Sequence, residues 1–319
     1  MSLAIFFILL FLILASAYFL FFLKQARTVV PIINEINSTL TAITTTTKLS
    51  RTYSESPLLF PRMRWAKMPL SVYVEVTSCS AEEAQEVTTA EKIWKEKTNG
   101  IIYFIDSTSN NSDVIVSCLK DSSSIREGRR IIRKVGEGGP SSVYDTGLFN
   151  LSTKGKIFLF TSTVGCDRPI IAMHEIGHVL GLDHSENPDS VMYEYEECNQ
   201  DITPEIVSAL KSLYSFSAKP DLYFSDASAS QKNYYLFLNM TIKNQGLLSS
   251  EKTTISINVN GKELKSFPLD SLKPGQGYFF TLSNLFVSNE VTDLKISIDS
   301  GNNVDELYKS NNMISLVPK

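Results

Sequence analysis

The sequence predicts an α+β domain followed by an all-β sandwich, with a membrane-spanning helix in front of both. Three observations lead to this prediction. Residues 3–23 form an apolar stretch without a charged residue. Between residues 57 and 218, stretches with the two-residue period of strands alternate with stretches that have the helical period. From residue 219 onwards, short alternating stretches separated by turn residues replace that mixture.

Length and charge limit the classes of function. A chain of 319 residues predicts about two domains, and 43% hydrophobic residues is enough to fill ordinary cores. The 30 basic and 34 acidic residues give a net charge of −4, which argues against nucleic acid as a partner. The net charge does not argue against a membrane or a protein as a partner.

The apolar stretch at residues 3–23 is long enough to cross a membrane. At about 1.5 Å per residue, it spans a hydrocarbon core of about 30 Å. We therefore interpret residues 1–24 as a transmembrane helix or an uncleaved signal anchor. Ala15-Ser16-Ala17 resembles a signal-peptidase site, and cleavage there would release a secreted protein. Against cleavage, the apolar run continues past this tripeptide and no basic residue precedes it.

Residues 25–56 are predicted to form a stalk. Apolar residues recur in it at spacings of four and three, which is a heptad stripe of two repeats: Val29, Ile33, Ile36, Leu40 and Ile43. Two heptads are too short for a stable isolated coiled coil. An amphipathic helix next to the membrane, or a plain stalk, is therefore the preferred interpretation.

Residues 57–218 are predicted to contain a mixed sheet and about three helices. A helix begins at Ser80 and ends at Asn99-Gly100, and the last helix begins at Thr203. A helix between them is predicted at about residues 169–180, with Asp167 as its N-cap. The predicted strands lie at residues 70–76, 101–105, 114–118, 143–150 and 156–161.

All three histidines of the chain lie within eleven residues, at positions one, five and eleven of His-Glu-Ile-Gly-His-Val-Leu-Gly-Leu-Asp-His. His174 and His178 fall one turn apart on the same face of a helix, a spacing that suits two zinc ligands. Glu175 is then placed to act as general base toward a metal-bound water. Gly181 allows the sharp turn that delivers His184 as a third ligand. Three protein nitrogens leave one coordination position open, as in a catalytic zinc site.

These residues resemble the extended zinc signature of the metzincin clan and match it at every fixed position. Ser185, directly after the third histidine, resembles the matrixin branch, and Ser190-Val191-Met192-Tyr193 resembles the Met-turn of that clan. The resemblance implies a zinc-dependent endopeptidase that hydrolyses peptide bonds with a zinc-activated water and uses one catalytic Zn²⁺. It also implies that Met192 packs beneath the imidazoles.

In the matrixin family, a strand ahead of the zinc helix borders the cleft and pairs with an extended substrate. The resemblance assigns this role to residues 143–150, and strand addition through backbone hydrogen bonds gives it a general physical basis. The partner implied is a protein or peptide substrate.

Two charged clusters flank the signature. One is basic, Arg126, Arg129, Arg130, Arg133 and Lys134, and a solvated loop is preferred over an anion or substrate site. The other follows the Met-turn and contains Glu194, Glu196, Glu197 and Asp201. A solvated loop is again preferred, with calcium binding or a preference for basic substrate residues as alternatives.

Four cysteines, Cys79, Cys118, Cys166 and Cys198, are too few and too widely spaced for a zinc ribbon or a redox motif. In an oxidising compartment three pairings are possible. We favour Cys166 with Cys198, because these two bracket the zinc helix and the Met-turn, and Cys79 would then pair with Cys118. Four unpaired buried thiols are the alternative.

Residues 219–319 predict about seven short strands in a β-sandwich. Stretches such as Asn244-Gln245-Gly246 and Asn260-Gly261-Lys262 resemble CARDB domains, the adhesion-related modules of prokaryotic surface proteins. This resemblance implies binding or spacing rather than chemistry, and with it a cell-surface partner.

The sequence as a whole predicts a membrane-anchored zinc endopeptidase outside the cytoplasm. Lys24 and Arg27 follow the apolar stretch and would by themselves hold the rest of the chain in the cytoplasm. Two charges are weaker evidence for the orientation than the cysteines and the protease signature. We therefore expect the catalytic domain outside the cell membrane. A cell-surface adhesion or scaffold protein with a non-catalytic zinc domain is the alternative.

Overall fold

The structure is a computed structural model that describes residues 58–120, 124–127, 130–160, 166 and 169–319. For residues 124–127 and 130–133, only the backbone is described. The expected transmembrane segment, the stalk and Asp167 therefore lie outside the described residues. Within the described ranges, no helix is both long and apolar enough to span a bilayer.

A mixed sheet forms the centre of the N-terminal part. Its strands are β1 (Met63–Trp65), β2 (Leu70–Val74), β3 (Phe104–Asp106), β4 (Val114–Leu119), β7 (Gly136–Asp145) and β8 (Asn150–Phe160). Strands β5 (Ser124–Glu127) and β6 (Arg130–Arg133) pair as a separate antiparallel ribbon.

The order of the central sheet is β1-β8-β4-β2-β3, and β7 pairs with β8. Strands β1 and β4 pair with successive stretches of β8 in parallel, whereas β7 runs antiparallel along the whole of β8. Within the described residues, no strand pairs with the other edge of β7. Among these residues, β7 is therefore an edge of the sheet.

Helix α1 (Ala81–Lys97) begins in a capping box, in which Ser80 and Glu83 bond to each other's backbone N–H groups. Its buried face packs on α2 (Ile170–Val179), and the indole Nε1 of Trp94 donates to the Met173 carbonyl at 3.0 Å. Helix α3 (Pro204–Tyr214) follows the histidine signature, with Pro204 in its first turn. The core contains both tryptophans and the apolar faces of the three helices.

The structure corrects three details of the sequence analysis. The predicted strand at residues 143–150 is wrong, because this stretch contains the end of β7, a turn and the first residue of β8. The strand predicted at residues 101–105 begins at Phe104. Pro169 occupies the N-cap of α2, which has no side-chain capping bond.

The C-terminal part is a β-sandwich. One sheet has the order β13-β10-β9 and the other β12-β11-β14-β15. The strands are β9 (Leu222–Lys232), β10 (Tyr235–Asn244), β11 (Thr253–Val259), β12 (Lys262–Leu269), β13 (Gly277–Phe286), β14 (Leu294–Ile298) and β15 (Met313–Leu316). Alternate residues of both sheets form one apolar core.

The two parts meet through a small third cluster that contains Phe149, Leu151 and Leu247. Nearby, the hydroxyl of Thr146 donates to the Gln245 carbonyl at 2.7 Å. Arg64 is buried at the end of α3, where one of its guanidinium nitrogens donates to two carbonyl oxygens just before the sandwich begins. These contacts join the sheet, α3 and the sandwich.

Candidate metal centre

The three histidines are placed by a helix and by the turn that follows it. His174 and His178 project from α2, which ends at Val179. Gly181 then adopts a φ of +95°, and a Cβ added there would lie 2.9 Å from Cγ of Met63. Glycine is required here both by the left-handed backbone and by the close packing, and the turn brings His184 back toward the helix.

The three imidazoles converge on one point. Nε2 of His178 lies 3.0 Å from Nε2 of His174 and 3.2 Å from Nε2 of His184. The ligand atoms of all three residues lie within 4.8 Å of one another. Tetrahedral zinc with bonds of about 2.0–2.1 Å would separate its nitrogen ligands by about 3.3 Å.

Backbone carbonyls fix the orientation of two of the rings. Nδ1 of His174 lies 2.7 Å from the Val191 oxygen, and Nδ1 of His178 lies 2.8 Å from the Leu182 oxygen. Because a carbonyl oxygen only accepts, each Nδ1 carries the proton and each Nε2 presents a lone pair. Lone pairs at 3.0 Å repel each other unless a cation lies between them, so this donor set fits a metal ion.

Burial favours the metal-binding form of these histidines. It lowers the pKa of His174 to about 4, with a further lowering from His178. Burial also lowers the pKa of His178. Both rings are therefore neutral at neutral pH, which is the state that binds Zn²⁺.

Glu175 lines the same cleft and is 5% exposed. Burial raises the pKa of its carboxyl to about 8, while the charge of Lys134 and a hydrogen bond from the Gly138 N–H oppose this rise. A carboxyl that titrates near neutral pH is suited both to accept and to donate a proton.

The cleft has a volume of about 440 Å³ and two walls. One wall is the start of β7 with the residues before it, 134–138, and the other contains Tyr193, Glu194, Tyr195 and Glu196. Gly136 and Gly138 let β7 approach α2 closely. A Cβ added at Gly138 would lie 2.6 Å from the backbone oxygen of Glu175, and one at Gly136 would lie 2.2 Å from its Oε1.

The turn that contains Met192 supports the histidine-bearing helix. Met192 is fully buried, and its Sδ would lie 2.2 Å from a Cβ added at Gly177, the residue before His178. The side chain therefore packs directly against α2 between the two helical histidines. The preceding carbonyl, that of Val191, orients His174.

The other candidate residues divide into two groups. Glu194 and Glu196 line the cleft, whereas Asp201 pairs with Lys97 of α1. Within the described residues, the three histidines are the one group of His, Cys, Asp or Glu side chains close enough to hold a metal ion.

The cysteines are joined as Cys79–Cys118 and Cys166–Cys198, with Cα separations of 4.8 and 5.2 Å. The first disulfide ties the start of α1 to β4. The second ties the segment before α2 to the loop that follows Met192.

The sequence analysis missed the wall formed by residues 134–138. The signal was present in the Gly-Glu-Gly-Gly sequence at residues 136–139, because glycines ahead of a functional helix indicate a close backbone approach. Lys134 is exposed in a loop, as predicted, and it also lines the cleft, where it pairs with Glu137 at 2.7 Å.

Comparison with known proteins agrees with this geometry. Residues 64–215 match the family model for Matrixin, and residues 219–316 match the model for CARDB. A protein of Invertebrate iridescent virus 3 named as a matrix metalloproteinase is 51% identical over 51 residues, which is 16% of this chain and 14% of the relative. Metalloendoproteinase 4-MMP of Arabidopsis thaliana is 32% identical over 97 residues, which is 30% of this chain and 28% of the relative. The chain thus spans less than a third of each relative.

Two solved structures are similar to part of the chain. A CARDB domain from Pyrococcus furiosus, solved in complex with di-metal ions, is 22% identical, with a TM-score of 0.27 over 31% of this chain and 90% of that chain. A domain of a Methanosarcina acetivorans protein, described as a cell surface protein, is 24% identical, with a TM-score of 0.28 over 30% of this chain and 88% of that chain.

Proposed function

From its Matrixin domain at residues 64–215 and its CARDB domain at residues 219–316, we propose that this chain is a zinc-dependent endopeptidase. The observation that carries the proposal is the convergence of three Nε2 atoms in a cleft that Glu175 also lines. The family matches support a metalloprotease, and the donor set fits zinc.

His174, His178 and His184 would hold the metal. Zn²⁺ bound there would supply Lewis-acid chemistry, lowering the pKa of water and polarising a peptide carbonyl. Glu175 supplies the proton chemistry: its carboxylate oxygen accepts a proton from the attacking water and then delivers it to the leaving amine. Burial raises the pKa of this carboxyl to about 8 in the metal-free cleft, which favours holding the proton for the leaving amine, and the charge of a bound Zn²⁺ would favour the carboxylate that accepts it.

The free edge of β7 binds the substrate backbone. Residues 136–138 line the cleft. The Gly138 N–H bonds to the Glu175 carboxyl, and the remaining N–H and C=O groups on the side away from β8 offer pairing to an extended peptide. Antiparallel pairing is favoured, because it is slightly more stable per residue than parallel pairing. The substrate strand is therefore held beside Glu175 while the scissile bond faces the histidines.

Cleavage profiling of the full-length chain in detergent tests the endopeptidase activity. A proteome-derived peptide library is incubated with wild type, with Glu175→Ala and with Glu197→Ala, whose exposed carboxylate lies outside the cleft lining. The expected result is cleavage by wild type and Glu197→Ala, and none by Glu175→Ala, while all three retain equal zinc. Cleavage by Glu175→Ala, or by the metal-stripped protein, would contradict the proposal.

The adhesion or scaffold hypothesis predicts the opposite result in cells, and the CARDB match favours it as the second candidate. If Glu175→Ala fully replaces the wild-type chain in a cell that depends on it, the zinc domain is a scaffold. If it fails while Glu197→Ala succeeds, the chain acts as an enzyme.

We also propose that residues 3–23 anchor the chain in a membrane with the catalytic domain outside the cytoplasm. The uncharged apolar stretch and the disulfide-bonded cysteines support this placement. Digestion of intact cells with an added protease tests it. Loss of the domain from intact cells is expected, and protection until the cells are lysed would contradict the orientation.

A further inference from the structure

A second concave surface lies between the two domains, away from the histidines. This interdomain groove has a volume of about 620 Å³. The catalytic domain contributes Tyr144 and Leu151, and the sandwich contributes Leu247, Leu248 and Pro274. The groove is mainly apolar, and two of its side chains, Tyr144 and Leu248, are 56% and 43% exposed.

Polar groups occupy defined positions in the same groove. The Lys67–Asp113 ion pair, at 2.9 Å, lies on the catalytic side, and Lys273 is exposed on the sandwich side. Ser152 also lines the groove. It is 2% exposed, and its Oγ has no hydrogen-bond partner among the described residues. An apolar surface with a few polar groups is typical of sites that bind peptides or small molecules.

Strand β7 connects this groove to the catalytic cleft. Its residues 136–138 line the cleft, and Tyr144, near its other end, lines the groove. Asp145 then lies against the sandwich, since a Cβ added at Gly275 would be 2.8 Å from the Asp145 oxygen. Tyr144 is six positions after Gly138, which corresponds to about 20 Å of extended strand.

The direction of the bound chain follows from the pairing. A substrate strand antiparallel to β7 runs toward its own N-terminus as β7 runs from Gly138 to Tyr144. The residues that reach the groove are therefore those upstream of the scissile bond. Backbone pairing is interrupted at Pro140, which has no N–H, and at the register shifts that follow it, so contact in the groove is made by side chains.

We propose that the interdomain groove binds the upstream segment of the protein substrate, an apolar segment with an acidic residue facing Lys273. This proposal rests on the proposed endopeptidase function and makes the sandwich part of the substrate site. Lys67 is already paired with Asp113. Lys273 is therefore the lysine of the groove that favours a carboxylate of the substrate. A short peptide that fills only the cleft gains nothing from the groove.

Peptides of different length test the proposal. The best sequence from cleavage profiling is made as a short peptide that spans the scissile bond, and about eight apolar residues with one glutamate are added upstream or downstream. The upstream extension is expected to lower KM about tenfold, because burying one or two large apolar side chains gives an effect of that size. A downstream extension, or an upstream one of glycine and serine, is expected to leave KM unchanged.

Variants separate the groove from the cleft. Tyr144→Ser and Leu248→Ser are expected to raise the KM of the upstream-extended peptide to that of the short peptide, with hydrolysis of the short peptide unchanged. Tyr234→Ser is the matched control, because Tyr234 is 58% exposed and lies outside the groove. Lys273→Glu is expected to weaken binding of the glutamate-containing extension and not that of its glutamine counterpart.

Binding of the labelled, upstream-extended peptide to Glu175→Ala by fluorescence anisotropy gives a readout without turnover. In the Glu175→Ala background, Tyr144→Ser is expected to weaken binding of this peptide. Tyr234→Ser is expected to leave its binding unchanged. The proposal is overturned if the upstream extension has no effect, if the downstream extension has the larger effect, or if the control variant behaves like Tyr144→Ser. Hydrolysis of the short peptide in those cases leaves the endopeptidase function standing, and no hydrolysis of any peptide overturns both.

Discussion

The Nδ1 atom of His174 lies 2.7 Å from the backbone carbonyl oxygen of Val191. This single hydrogen bond joins the first histidine of the helix to the turn that contains Met192. Because the carbonyl holds the Nδ1 proton, it directs the lone pair of Nε2 toward the other two imidazoles. The Met-turn therefore acts on the metal centre through its backbone as well as through the packing of Met192 against Gly177.

The turn at Gly181 gives the first prediction. Gly181→Ala introduces a left-handed alanine and a Cβ that would lie 2.9 Å from Met63, so we expect a loss of about 2–4 kcal/mol in the free energy of unfolding and weaker zinc binding. Gly261→Ala is the control, because Gly261 also has a positive φ, +79°, but no atom within 4 Å of the added Cβ. Its expected cost is about 1 kcal/mol. Equal losses in the two variants, measured by chemical unfolding, would show that packing at Gly181 contributes nothing.

The close approach of β7 to α2 gives the second prediction. In Gly138→Ala, the added Cβ would lie 2.6 Å from the backbone oxygen of Glu175, which cannot rotate away. The edge strand must move outward, so kcat/KM is expected to fall by about 100-fold, as for other displacements of about 1 Å near a reaction centre. Zinc content should be unchanged, because the three histidines are untouched. Full activity would show that β7 does not position the substrate.

The histidine arrangement was the part of the site that the sequence predicted best. Spacings of four and six residues, with Gly181 between the last two histidines, are local relations that the helical period and backbone sterics determine. The three helices of the first domain, its strands β2 and β4 and the second half of β8, and the sandwich after residue 219 were also predicted by periodicity. The matches to the Matrixin and CARDB models confirm both family resemblances.

What the sequence did not predict depends on contacts between distant residues. Strand β7 contains Gly-Glu-Gly-Gly-Pro-Ser-Ser, which has no apolar alternation and forms a strand because it pairs with β8. Strand β9 contains the small polar run from Ser225 to Ser230 and depends in the same way on β10. The glycines at residues 136–139 indicate that another group approaches the backbone closely, but that this group is Glu175 follows only from the fold.

A buried carboxyl away from the cleft gives the third prediction. Glu91 of α1 is 8% exposed, and burial, with a smaller contribution from Asp106, raises its pKa to about 7. A folded-state pKa above the unfolded value of 4.5 means that the folded protein holds this proton more tightly. The contribution of Glu91 to the free energy of unfolding is therefore fully present below pH 4.5 and is lost as pH rises from 4.5 to about 7.

Glu91→Gln removes this dependence, since the amide stays neutral at every pH. We expect the variant to exceed wild type in free energy of unfolding by about 3 kcal/mol at pH 8, with the difference shrinking toward pH 4.5. Denaturant unfolding at a series of pH values measures it. A difference that is constant with pH would contradict the assigned titration.

Arg64 gives the fourth prediction. Its guanidinium bonds to the carbonyls of Trp65, Leu213 and Phe216, and it lies over the Tyr214 ring at 4.4 Å. A lysine cannot reproduce this set of bonds, so Arg64→Lys is expected to lower the free energy of unfolding by about 2–4 kcal/mol. Arg62→Lys, at a nearby exposed position, should change it little. Equal thermal stability of the two variants would mean that Arg64 does not hold α3 and the domain junction in place.

The convergence of three imidazoles on one ion is tested most directly by zinc X-ray absorption spectroscopy on the full-length chain. The predicted result is one zinc per chain with three imidazole nitrogens at about 2.0–2.1 Å and one oxygen ligand. His184→Ala should reduce the imidazole count by one. A protein that retains no zinc, or a spectrum with sulfur ligands or fewer than three imidazoles in the wild type, would contradict the account.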